Sequence, residues 1–144
     1  MNDLWGIYRY EVMMRTELLQ LWRDHREYID ALKFPIPNAV TESIVLHTRI
    51  LVGILLSRGK QPDDINLARL LPGFTCEALK TLEQAYGDSG KNNSPCWAFN
   101  KMLAHATTLR SHGYDYTPHL DSLYPAIDVA IRKIDKERSS RSSR

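Results

Sequence analysis

The prolines and glycines of this chain cut it into long runs in which apolar residues recur at three- and four-residue steps. Almost none of these runs alternates with the period of two that a strand requires. That punctuation predicts an all-α fold. The first helix is expected from about Asp3 to Leu32, with Ile7, Met14, Leu18, Leu21, His25, Tyr28 and Leu32 forming a seam. Trp5, Tyr8, Val12, Leu19 and Trp22 widen that stripe, and Pro35 and Pro37 end it.

A second helix is expected from Pro37-Asn38 to Gly59, which reads as its C-terminal cap. The run Ile50 to Leu56 is apolar all round and belongs at the centre of the core. Gly53 within it costs roughly 1 kcal/mol of helix propensity against alanine, so a closely packed neighbouring helix is expected there. Asp63 is the expected cap of a short helix reaching about Leu71, and Thr75 of another reaching Tyr86. Residues 87–95 are rich in Gly, Ser and Asn and predict a loop. Ser94-Pro95 then starts a helix that runs to about Gly113, and Thr117-Pro118 starts a last one with Pro125 inside it. The expected architecture is an up-and-down bundle of four to five main helices. It forms a single domain over residues 1–138, with 139–144 as a disordered Ser/Arg tail.

With 144 residues, 43% hydrophobic and 25% charged, the chain has the length and balance of one globular domain with a real core. A net charge of +2 permits a nucleic-acid partner without marking one. Asp3, Arg9 and Glu11 interrupt the apolar residues near the N-terminus, so no secretory leader is expected. The run Ile50 to Leu56 is too short to cross a bilayer, so no membrane partner is expected and the protein reads as cytoplasmic. Cys76 and Cys96 fit no zinc spacing and read as reduced thiols.

The polar residues with chemical potential lie on two helices. Lys101, His105, Thr108 and His112 fall along one helical face, and Asn100 lies about 140° round from His105. Amide, ammonium and imidazole so close together can hold a phosphate or move a proton. The bland alternative for His105 is a helix-surface histidine bonded to a neighbouring carbonyl. His47 and Arg49 precede the most apolar segment, where they can bind a ligand or pair with charges on adjacent helices. His25, on the apolar seam, is expected in the core. His105 and His112 are two turns apart, too far for one helix to hold a metal with them alone, and no metal or cofactor is expected. The chain carries no Gly-rich phosphate loop, nucleophile elbow, HExxH or CxxC.

Two stretches resemble small bacterial proteins akin to the HEPN superfamily. One is Glu42 to Leu51, followed after a short loop by Pro62-Asp63-Asp64-Ile65. The other is Asn100 to His105, followed by Arg110 and the turn Tyr114-Asp115-Tyr116-Thr117. The resemblance covers residues 38–135. It implies a helical bundle that dimerises and serves as a metal-independent endoribonuclease of toxin–antitoxin or phage-defence systems, or as a binder of nucleotides or partners. The active members carry an Arg-x4–6-His motif. Its histidine exchanges a proton, and its arginine steadies charge on the scissile phosphate.

Here His105 matches the histidine, while the position five residues earlier is Asn100, and no histidine in the chain has an arginine at the required spacing. Lys101, Arg49 or Arg110 would have to supply the charge. The resemblance therefore implies a homodimeric binder of RNA or nucleotide, a degenerate ribonuclease at most. Asn100, Lys101 and His105 would line its groove, with Arg49, Arg110 and His47 in support and His105 as the acid/base. The other reading is a non-catalytic protein-interaction module whose polar clusters are structural.

Overall fold

Ile44, Val45, Leu51 and Val52 are wholly buried, and all four lie on α3 (Ile36–Leu55), the helix around which the chain is arranged. The structure, a computed structural model, describes residues 3–104 and 114–144. Before α3 come α1 (Leu4–Asp24) and α2 (Arg26–Asp30). After it come α4 (Leu67–Leu70), α5 (Glu77–Tyr86), α6 (Pro95–Ala98), a π-helix (Phe99–Ala104) and α7 (Thr117–Ser142). No strand occurs among the described residues, so the fold is all-α. Helix α1 lies along α3 and α5 along α7, while the π-helix and α7 close on α3. By length and composition α3 is apolar enough to cross a bilayer, which Ile50 to Leu56 alone did not indicate. Its buried side chains, worth about 1.5–3 kcal/mol each, instead join Leu82, Phe99, Leu123, Ile127 and Ile134 in one core.

The buried face of α1 is not the expected seam. Tyr8, Glu11, Arg15, Leu19 and Trp22 face inward, whereas Ile7, Leu21 and Tyr28 are exposed. Two charged residues occupy the inner face, and this turns the apolar pattern about one residue away from the true one. Glu11 is held by His47 of α3, Oε2 to Nδ1 at 2.7 Å, and Arg15 by Asp128 of α7, Nη1 to Oδ1 at 2.8 Å. The long expected helix also breaks at His25, whose φ of −127° separates α1 from α2. His25 is therefore an exposed junction residue and not a core histidine.

The end of α3 likewise differs. Ser57, at φ 51°, takes the left-handed position, the Ser57 N–H bonds to Ile54 O, and the Arg58 N–H bonds to Gly53 O. That is a Schellman closure two residues before Gly59. Ser57 keeps a use glycine could not supply, since its Oγ accepts the Ala68 N–H at the start of α4. The cap of α4 is Asn66, which accepts the Arg69 N–H, and not the expected Asp63, while Asp64 accepts the Gln61 N–H in the preceding turn. Helix α5 starts after Cys76 and lacks a side-chain cap, so Thr75 does not cap it. Among the described residues nothing lies within 4 Å of a Cβ built on Gly53, so none of the described helices packs closely there. At the far end α7 stays helical to Ser142 where a disordered tail was expected. Arg141 pairs with Glu137 one turn back and donates to Pro72 O at 3.0 Å.

Candidate functional site

Ser94 accepts the Trp97 N–H at 3.1 Å and Pro95 occupies the first turn, so the chain re-enters helix as the sequence predicts. After one turn, however, α6 gives way to the π-helix. Its i→i+5 bonding is uncommon and recurs at functional sites. The expected α-helical spacing of Asn100 and Lys101 therefore does not apply.

Asn100 Nδ2 donates to Cys96 Sγ at 3.4 Å. The same buried sulfur receives Arg58 Nη1 at 3.6 Å, and Arg58 Nη2 donates to Gly87 O at 2.8 Å. The Arg58 guanidinium also lies 4.9 Å from the centre of the Tyr86 ring. Burial, then the Cys96 thiol, pushes the Tyr86 phenol well above its usual range, and Arg49 and Arg58 pull against that shift. Elements far apart in sequence thus bring a guanidinium, an amide and a phenol to one sulfur, and the charge of Arg49 is felt at that phenol. Arg58 uses two of its five N–H donors in these bonds.

Phe99, wholly buried, links this cluster to a second one. Its ring stands 6.1 Å from Tyr86, 6.2 Å from Tyr116 and 6.3 Å from His119. Tyr114 Oη meets His119 Nε2 at 2.7 Å. Burial pushes the His119 imidazole down, partly offset by Asp115, while burial and Asp115 push the Tyr114 phenol up. Both shifts favour a phenol that donates to a neutral imidazole. Asp115 is held below the usual carboxylate range chiefly by the Thr117 hydroxyl and backbone N–H.

The sign of the pH dependence follows. A histidine depressed in the fold stabilises it above the unfolded value of about 6.5, and that stability is lost as pH falls through the lower folded value. Asp115 acts in the same sense at more acid pH. Urea midpoints measured from pH 7.5 down to 5 should therefore fall in the wild type and fall less in His119→Gln. Parallel curves for the two proteins would remove His119 from this role.

Of the residues marked in the sequence, Asn100 belongs to the Cys96–Tyr86 cluster and Arg49 acts on its phenol through charge alone. Lys101 is exposed on the π-helix. His47 lies elsewhere, bonded to Glu11 and edge-on to Tyr10 at 6.0 Å. His105 and Arg110 fall outside the described residues. The sequence does not point to Arg58, at the end of the expected second helix, nor to the Tyr86 and Cys96 contacts or the Tyr114–His119 pair. The Tyr114-Asp115-Tyr116-Thr117 turn was the signal that could have led to the last of these.

Comparison of the chain with protein-family models, curated proteins and solved structures finds no match. Its own geometry defines the class: an all-α protein with a cationic cluster at a π-helix.

Proposed function

We propose that this protein is a HEPN-like helical bundle that binds RNA or a nucleotide through Arg49, Arg58 and Asn100, in a stress or defence system. The observation carrying the reading is the meeting of the Arg58 guanidinium and the Asn100 amide at Cys96 beside Tyr86, whose phenol also feels the charge of Arg49, with Asn100 five residues ahead of His105 in sequence. Arginines stabilise phosphate charge and an amide adds a directed hydrogen bond. Asn100 stands where active members carry arginine, and Arg58 and Arg49 bring the charge from another part of the fold. In this reading α1, α3, α5 and α7 are the main bundle helices and a second copy completes the groove. The free Cys76 and Cys96 fit a reducing cytoplasm. If RNA is cut, His105 acts as acid/base, with Arg110 and Lys101 beside the phosphate.

The test is single-stranded RNA binding across a salt series. Removing Arg49 or Arg58 should weaken binding and lower the salt slope by about 0.7 for each lost phosphate contact. Melting temperatures of the variants separate this effect from misfolding, because Arg58 also ties Gly87. Incubation with total RNA alongside His105→Ala tests cleavage. No salt-sensitive binding by the wild type would end the nucleic-acid reading.

One observation favours the second reading, a protein-interaction module. Ile7 of α1 and Ile50 of α3 are exposed apolar residues lining one cleft with Gly53, and Tyr10 and Leu46 are further exposed apolar residues of the same two helices. In this reading the polar clusters are structural, as His47 is when bonded to Glu11.

A further inference from the structure

A cleft of about 490 Å³ opens between α2, α3 and the turn that leads into α7. That is the size of a small-molecule site. On one side the Arg26 guanidinium lies 4.4 Å from the centre of the Trp22 ring, and its Nε is 3.5 Å from Asp30 Oδ2. An indole beneath and a carboxylate at the edge hold the guanidinium in place, as a platform on which another flat ring can stack. Asp115 lines the same cleft with Thr41 and Tyr116. Its Oδ1 accepts the Thr117 N–H at 2.9 Å, which orients the carboxylate. The Thr117 hydroxyl bonds the same carboxylate, and a carboxylate has more acceptor sites than these two bonds use.

We propose that this cleft binds a guanine base, stacked on Arg26 and hydrogen-bonded by Asp115 through the base's adjacent N1–H and exocyclic amino donors. Unpaired bases are recognised by stacking on arginine or aromatic planes and by hydrogen bonds along their Watson–Crick edge. Guanine places two donors side by side on that edge, which suits a carboxylate. Adenine and cytosine set one amino group beside an acceptor nitrogen, and uracil sets one N–H between two carbonyls, so each brings a lone pair against Asp115. The inference rests on the RNA or nucleotide reading and adds a base pocket to the phosphate cluster. Phe99 stands between the two, in contact with Tyr86 of one and Tyr116 of the other.

Titration calorimetry with guanosine, which has no phosphate, separates the pocket from the cluster. The wild-type chain should bind guanosine, with adenosine weaker by about tenfold or more. Arg26→Ala should remove guanosine binding and Asp115→Asn should erase the preference over adenosine. Parallel titrations with GMP and with a uridine oligonucleotide holding one guanosine show whether free nucleotide or RNA is the better source of the base. Failure to bind guanosine, or equal binding of the two nucleosides, overturns the pocket even where salt-sensitive RNA binding persists. Guanosine binding without salt-sensitive RNA binding supports the pocket and removes only the phosphate cluster.

Discussion

Asp128→Ala should lower stability by about 3 kcal/mol, although Asp128 sits at the edge of the core. The reason is the group it leaves behind. Arg15 is 2% exposed at its side chain against 28% for Asp128, so the cation loses its carboxylate where water cannot replace it. The Arg15 Nε is already buried without a hydrogen-bond partner among the described residues. The Tyr124 ring, 4.9 Å from the guanidinium, offers only a cation–π contact in compensation. Arg15→Met should cost less, because it removes the charge and keeps the packing volume. The double variant should then lose clearly less than the sum of the two single losses. Urea unfolding of the four proteins measures this, and an Asp128→Ala midpoint indistinguishable from wild type would refute it.

Phe99→Ala should cost about 3–5 kcal/mol, the usual range for emptying a buried phenylalanine site. At roughly 3 °C per kcal/mol for a domain of this length, the melting temperature should drop by about 10 °C. Its ring touches Tyr86, Tyr116 and His119, so the cavity would open between the cationic cluster and the Tyr114–His119 pair. Phe99→Leu, nearer in volume, should cost about 1.5 kcal/mol or less. Calorimetric melting of both variants is the check. Equal losses for leucine and alanine would mean that the aromatic ring, not its volume, sustains the core there.

The helix-only character and most helix starts were legible because they rest on local rules. Proline suits the first turn of a helix, and Ser94-Pro95 and Thr117-Pro118 open helices where their chemistry predicts. The phase of α1 was not legible, since Glu11 and Arg15 read as solvent residues until His47 and Asp128 come into view from other helices. The switch from α6 to the π-helix leaves no mark in apolar spacing. At the candidate site Asn100 and Arg49 could be picked out as polar groups on helices otherwise rich in apolar residues. Arg58 could not, because its value lies in reaching across to Gly87 and Cys96, a contact made only by the tertiary fold.

The two charges buried on α1 also fix how that helix can lie in the bundle. Sliding α1 by one turn, about 5.4 Å, would bring Arg15 to the level of Glu11, facing His47 instead of a carboxylate. The same slip would draw Arg15 away from Asp128 and leave Glu11 buried without its imidazole. Leucines in those two positions would tolerate such a shift at little cost. Glu11 and Arg15 act as the wards of a key, admitting one alignment of α1 and rejecting its near neighbours.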